Sequence, residues 1–439
     1  MRHKRTKFDL LAVCMLMIGA VLIVEPAVAS AKTVWVSNTE SVKAPFNSCK
    51  NPSYSSIQSA LAGPSTVIYV CPGTYAEQLQ INRSITITGE PNATIALPPS
   101  PVASTSACAA AGEQDLIGIC AKASETITLS HLTFEAYWPE GTCNENLYGI
   151  NVGGGAELAM NHSTMLGAGA KPLDGCQGGV GVQIGRNYTG QVATAEMYND
   201  EISGYQKNGI TVDNSGSHAI INKVTVTGAG PAPIAQNGIQ VSRGAVATLA
   251  SDTISKNECD VSSCGDNGSY LEYEEDAAGV LFYKEGAGSN VTKSHIKEND
   301  LGVSHIAEEE TTTPQASIKE DVLEGNRYAG VMLGQGYAGV GKDIISGGAV
   351  GILLLQYVTP LEQEWPTNPE FGPRGTGNED TISGTSKHAI EGVSDKNPYD
   401  QFGSFTSTNS KISGNPGTVA ESVYTNNPKK LKIITSGDS

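Results

Sequence analysis

The sequence predicts an all-β chain wound as a single-stranded parallel β-helix solenoid, and three observations predict it. The stretch Asn199-Asp200-Glu201-Ile202-Ser203-Gly204-Tyr205-Gln206-Lys207-Asn208-Gly209-Ile210-Thr211-Val212 holds two short alternating segments separated by turn-forming residues. Its "Gly-Ile/Val" mark recurs at Gly149, Gly181, Gly209, Gly238, Gly279, Gly302, Gly330 and Gly351, with gaps of 32, 28, 29, 41, 23, 28 and 21 residues. Its partner segment recurs as Glu201-Ile202-Ser203, Thr225-Val226-Thr227, Thr253-Ile254-Ser255, His295-Ile296-Lys297, Ile344-Ile345-Ser346, Thr381-Ile382-Ser383 and Lys411-Ile412-Ser413. Constant strands with variable gaps mark a solenoid, because loops grow outward while strands keep register with the coil beside them. Propeller blades need four strands and about 40 residues each, and most gaps here are too short.

The first element is a targeting segment. Arg2, Lys4, Arg5 and Lys7 precede an apolar run from Leu10 to Val24, and Ala27-Val28-Ala29 or Ala29-Ser30-Ala31 supplies a small-x-small cleavage site. That pattern predicts a signal peptide over 1–31 and an extracytoplasmic product, secreted, periplasmic or at the cell surface. The run is shorter than the ~20 residues that a membrane span prefers.

Next, Ile57, Ala60 and Leu61 stand at i, i+3 and i+4, which predicts a short amphipathic helix closed by Gly63-Pro64. Strands follow over Thr66–Val70, Gln78–Ile81 and Ser84–Gly89, punctuated by Pro72-Gly73 and Asn82-Arg83. Together, Ser56-Ile57-Gln58-Ser59-Ala60-Leu61, Val67-Ile68-Tyr69-Val70-Cys71-Pro72-Gly73-Thr74-Tyr75-Ala76-Glu77 and Ile85-Thr86-Ile87-Thr88-Gly89 resemble the opening of pectin-lyase-like right-handed parallel β-helix proteins. The resemblance is most specific over 54–97 and implies a helical cap on the first coil. The expected layout is therefore a β-helix over 32–427 and a C-terminal tail over 428–439 that covers the last coil. Residues 98–115 read as a loop, with the coils resuming at Glu125.

Strand alternation divides the residues between core and surface. Ile150, Val182, Ile210, Ile239, Val280, Val303, Val331 and Ile352 are expected to stack as one inward column. The alternate row, Asn151, Gln183, Thr211, Gln240, Leu281, Ser304, Met332 and Leu353, is expected to face out. Its polar half suits solvent, whereas its apolar half needs a cover, and the insertion Thr359–Gly377 with Trp365 and Phe371 is the expected one.

The full chain has 28 basic and 45 acidic side chains, and loss of 1–31 leaves 24 and 43, a formal −19. Such acidity argues against nucleic acid as a partner. Eight of the nine cysteines follow the signal, an even number that reads as disulfides in an exported chain. Contact between neighbouring coils favours Cys49–Cys71, Cys108–Cys120, Cys143–Cys176 and Cys259–Cys264 among the possible pairings.

Candidate chemistry sits on the outward rows. Asn151, Gln183, Thr211, Gln240 and Tyr283 could hydrogen-bond sugar hydroxyls. Asp213 stands among Arg186, Arg243 and Lys284, and a carboxylate among cations beside amides suits an oligosaccharide or a uronate. The insertions Gly167–Gly179 and Lys256–Ala278 could wall a groove floored by Tyr205, Gln206, Lys207 and Asn208. The second insertion is acidic, and Asp260, Asp266, Glu274 and Asp276 are hard oxygen donors that suit Ca²⁺, though without EF-hand spacing. Within the resembled fold, polygalacturonase-type hydrolases place aspartates just before the Gly-Ile strand. Here Gln206-Lys207-Asn208-Gly209 and Gln236-Asn237-Gly238 stand instead, without the acids that hydrolysis needs. A lyase needs a base and charge neutralisation, for which Lys207, Arg243 or Lys284 would serve, and with Asp213 these are the four candidate catalytic residues. Two functions stay open: a monomeric protein that binds, and cleaves or modifies, a polysaccharide, and a non-catalytic β-helix that presents loops to a partner.

Overall fold

The computed structural model describes residues 32–138, 146–260, 277–306, 315–356, 374–394, 403–414, 423–425, 431–436 and 438. The expected signal segment 1–31 lies outside them. The helix forms over Ile57–Ala62, and Ile57, Ala60 and Leu61 are its buried residues. Ser56 caps it by accepting the N–H of Ser59, and the two Glu77 carboxylate oxygens accept the N–H groups of Ile57 and Gln58 at 3.0 and 2.9 Å. At the far end Arg83 donates to the carbonyls of Leu61, Gly63 and Ser65. Both helix ends are thus satisfied by groups from the first coil.

The strands assort into three parallel sheets of 14, 12 and 12 strands, each strand pairing with its copy one coil away. The expected inward column is realised in order: Ile150 pairs with Val182, then Ile210, Ile239, Val280, Val303, Val331 and Ile352. All are essentially buried. The isoleucines of the partner segment form a second column, from Phe134 and Met165 through Ile202, Val226, Ile254, Ile296, Leu323, Ile345 and Ile382 to Ile412. Steric room explains the glycine mark. A Cβ on Gly209 would stand 2.6 Å from the Gly238 carbonyl oxygen and 2.7 Å from Val226 Cγ1.

An aspartate directly before the partner segment does its work at a corner in five coils. The preceding residue is left-handed at Asn199, Ser251, Glu320, Lys342 and Glu379, and the aspartate turns back onto the preceding coil. Asp200 accepts the N–H of Ser163, Asp252 that of Val224, Asp321 that of Ser294, Asp343 that of Asp321, and Asp380 that of Asp343, all at 2.7–3.0 Å. Burial pushes these carboxyls up, to about 7, 8, 7, 8 and 6 in that order. A second corner carries amides: Asn257 N–H donates to Asn299 Oδ1 and Asn299 N–H to Asn326 Oδ1. Such ladders satisfy backbone groups that a sharp corner removes from the sheets.

Several expectations need correction. The coils resume at Gln114, where a strand runs to Cys120, and not at Glu125. Leu431–Ser436, inside the expected tail, is itself a strand that extends the 14-stranded sheet. Arg374–Asn378 is likewise a strand, so the insertion after Leu353 ends sooner than expected. Residues 357–373 lie outside the described residues. Met332 and Leu353 are nevertheless buried, in a cluster with Tyr328, Val350 and Leu355. The bridges Cys49–Cys71 and Cys108–Cys120 form as expected. Cys176 and Cys259 are also disulfide-bonded, while Cys143 and Cys264 lie outside the described residues.

Candidate functional site

The outward face of one 12-stranded sheet carries the polar groups. Its register sets Asn151, Gln183, Thr211 and Gln240 side by side on four successive strands, about 4.8 Å apart. Contrary to expectation, the row is recessed and not open: Asn151, Gln183 and Thr211 are only 4–7 % exposed. One hydrogen-bonded chain links two adjacent coils. Asn237 Nδ2 donates to Asn208 Oδ1, Asn208 Nδ2 to Gln240 Oε1, Gln240 Nε2 to Ser242 Oγ, and Ser242 Oγ to Asp213 Oδ1, at 2.8–3.1 Å.

Asp213 is buried and fully engaged. Its Oδ1 also accepts from Arg243 Nη1 at 3.0 Å, and its Oδ2 accepts the Asn187 N–H at 2.8 Å. A carboxylate with both oxygens occupied is poorly placed to take a proton from substrate. Tyr283 follows Ser242 in the same row, with the Lys284 ammonium 5.0 Å from the Tyr283 ring centroid. Lys207 stands at the opposite end of the Asn208–Asp213 strand, ~20 Å from Asp213 at ~3.3 Å per residue. The four candidate catalytic residues therefore do not converge. Tyr205 is no groove floor either; it is fully buried and donates to Asn257 Oδ1 at 2.6 Å. Gln206 is also buried, and it donates to Asp174 and holds the 170–179 segment against the coil. Of the Ca²⁺ candidates only Asp260 is described; Asp266, Glu274 and Asp276 lie outside the described residues. No group of three or more metal-ligating side chains occurs among the described residues.

A denser cluster lies at the head of the row. Glu113 and Asp115 are both fully buried, Asn151 Nδ2 donates to each of them, and Arg186 forms an ion pair with Glu113. The Arg186 guanidinium lies 4.9 Å from the Tyr148 ring centroid. Burial pushes Asp115 up to about 7, with neighbouring Glu113 adding to the shift against a hydrogen bond from Ser104. Burial likewise raises the Tyr148 phenol to about 12, opposed by Arg186.

No protein-family model matches this chain, and no curated protein matches it. Solved structures do. The catalytic domain of a GH87 α-1,3-glucanase, in complex with tetrasaccharides, superposes with a TM-score of 0.55 at 12% identity, covering 94% of this chain and 70% of that one. The Agl-KA catalytic domain gives 0.55 at 13%, covering 86% and 64%. The periplasmic alginate epimerase AlgG gives 0.49 at 10%, covering 88% and 81%. The chain has the fold of a right-handed parallel β-helix. At these identities the likeness is one of fold.

Within this β-helix the head cluster escapes a reading based on the glycine mark. Register pairs Asp115 with Tyr148, and Tyr148 in turn leads through Val180 to Asn208. Leu116 thus stands where later coils carry the marked glycine, and Gly118 is two residues out of phase with it. The missed signal is Glu113-Gln114-Asp115 directly before Leu116-Ile117: acids do stand just before the inward residue, in a coil without the mark. Removing Arg186 would leave Glu113 buried and unpaired. Arg186→Met is expected to destabilise the β-helix by about 3–5 kcal/mol, read from chemical denaturation, and an unchanged midpoint would disprove the pairing.

Proposed function

We propose that this chain is an extracytoplasmic protein that binds a polysaccharide along the recessed polar row of its β-helix. The observation that carries the proposal is the row itself: Asn151, Gln183, Thr211 and Gln240 lie on consecutive strands. Their spacing of about 4.8 Å is close to the length of one sugar ring. A chain of hydroxyl-bearing units laid along the solenoid axis would meet an amide or hydroxyl at each coil. Arg243, with its side chain 46 % exposed, adds a cation beside the row. The disulfides support an oxidising compartment. The tetrasaccharide-bound α-1,3-glucanase domain that shares this fold is in keeping with this class of ligand.

Binding is favoured over turnover, because the Asp213 carboxylate is saturated and the Glu113–Asp115 pair is sealed from solvent. A glycan array tests the proposal, followed on each hit by reducing-end and 235-nm absorbance assays. Retention of at least one polysaccharide without either product signal is expected. Ultraviolet-absorbing product would instead assign lyase chemistry to the row, and new reducing ends hydrolysis. Silence in all three assays, at high protein concentration with Ca²⁺ present, would leave a scaffold that presents loops to a partner.

A further inference from the structure

Resting on the polysaccharide reading, we propose that Tyr188 is a stacking platform for the apolar face of a pyranose ring at the rim of the polar row. Tyr188 is 84 % exposed, the most exposed of the large hydrophobic side chains among the described residues. It sits on a three-residue 3-10 turn, Asn187–Thr189, directly after the strand that carries Gln183. An exposed aromatic on a pliant loop would need no explanation. This turn is held rigidly.

Arg186 and Gln191 exchange both backbone hydrogen bonds across the base of the turn, at 2.8 and 2.9 Å. From the next coil Asp213 Oδ2 accepts the Asn187 N–H at 2.8 Å, Asn214 Oδ1 accepts from Asn187 Nδ2 at 3.3 Å, and Asn214 Nδ2 donates to the Gln191 carbonyl at 2.9 Å. Gly190 closes the turn in the left-handed region, at φ 66°. The Arg186 guanidinium lies 5.6 Å from the Tyr188 ring centroid and 4.9 Å from that of buried Tyr148, and it is anchored by Glu113. The phenol ring is therefore supported by a fixed cation and a fixed turn while most of its surface meets solvent. A pre-positioned ring loses little entropy when a ligand lands on it. Its π face attracts the weakly positive C–H groups of a sugar ring, while the neighbouring amides take hydroxyls. This assigns a role to the saturated Asp213: it is a positioning residue for the turn and stays away from the reacting atoms.

The test is binding of two probes, an alginate oligosaccharide and an α-1,3-glucan tetrasaccharide, to the full mature chain and to Tyr188→Ala and Tyr188→Phe. The wild type is expected to bind at least one probe, Tyr188→Phe to bind within about twofold, and Tyr188→Ala about tenfold more weakly. All three should melt at the same temperature, since the side chain is exposed. In the wild-type complex the ring protons of one sugar unit should shift upfield in NMR spectra and lose that shift in Tyr188→Ala. If the wild type binds and Tyr188→Ala binds equally well with the upfield shift intact, the platform is wrong and the polysaccharide reading stands. If the wild type binds neither probe and no glycan of the array, both are wrong.

Discussion

Ile210→Asp is expected to abolish folding, seen as loss of the β-sheet circular dichroism signal and of soluble protein. Ile210 is fully buried and pairs with Val182 on one side and Ile239 on the other. Losing its burial costs roughly 1.5–3 kcal/mol, and an unpaired carboxylate in the same place costs several more. The effect spreads, because a solenoid coil is stabilised only by its two neighbours. One disrupted coil removes the pairing partner of both adjacent strands. Ile220→Asp, on the His218–Asn222 strand and 51 % exposed, is the control and should retain a cooperative transition. A variant Ile210→Asp that melts like the parent would show the register to be wrong by one residue, since a shift of one exchanges the two faces.

The second large effect is an inverted dependence of stability on pH. Asp200, Asp252, Asp321, Asp343 and Asp380 are raised by burial to between about 6 and about 8, against about 3.9 in an unfolded chain. Between those limits the folded protein binds more protons than the unfolded one, so stability falls as pH rises through the window. Acidifying from pH 8 to pH 5 should therefore raise the denaturation midpoint, by about 1.4 kcal/mol per pH unit for each carboxyl titrating differentially. Aspartates that are hydrogen-bonded in the folded state more often act in the opposite direction. Here the corner takes each one out of water, and this outweighs the backbone N–H groups that favour the anion. Asp343→Asn keeps an acceptor for the Asp321 N–H and should flatten the slope by about one proton. A midpoint that climbs between pH 5 and pH 8 would refute the account.

The candidate site was legible in part, and particular residues show where reading stopped. Asn151, Gln183, Thr211 and Gln240 could be placed on one row because alternation has a period of two and the glycine mark fixes the phase. Their burial could not be read, since it depends on segments that arrive from elsewhere in the chain. Asp213 stood out in the sequence as a carboxylate among cations, and three partners from two neighbouring coils make it a structural residue. Glu113 and Asp115 were hidden because their coil has Leu116 in place of glycine. Tyr205, read as a groove floor, faces inward to Asn257; residues in the turn between two sheets have no alternation to follow.

By itself the sequence determined the solenoid, the inward column through Ile210, the helical cap and two of the disulfides. Each of these depends on a local period or on contact between adjacent coils, and in a parallel stack adjacent coils repeat the same pattern. Only the tertiary structure decided which polar groups are spent on one another. The aspartate corner, the saturated Asp213, the sealed Glu113–Asp115 pair and the fixed Tyr188 turn all join residues some 20 to 70 positions apart through loops of irregular length. Loop length is the one feature of the coil that the core leaves free, so it is also where the site had to be found in space.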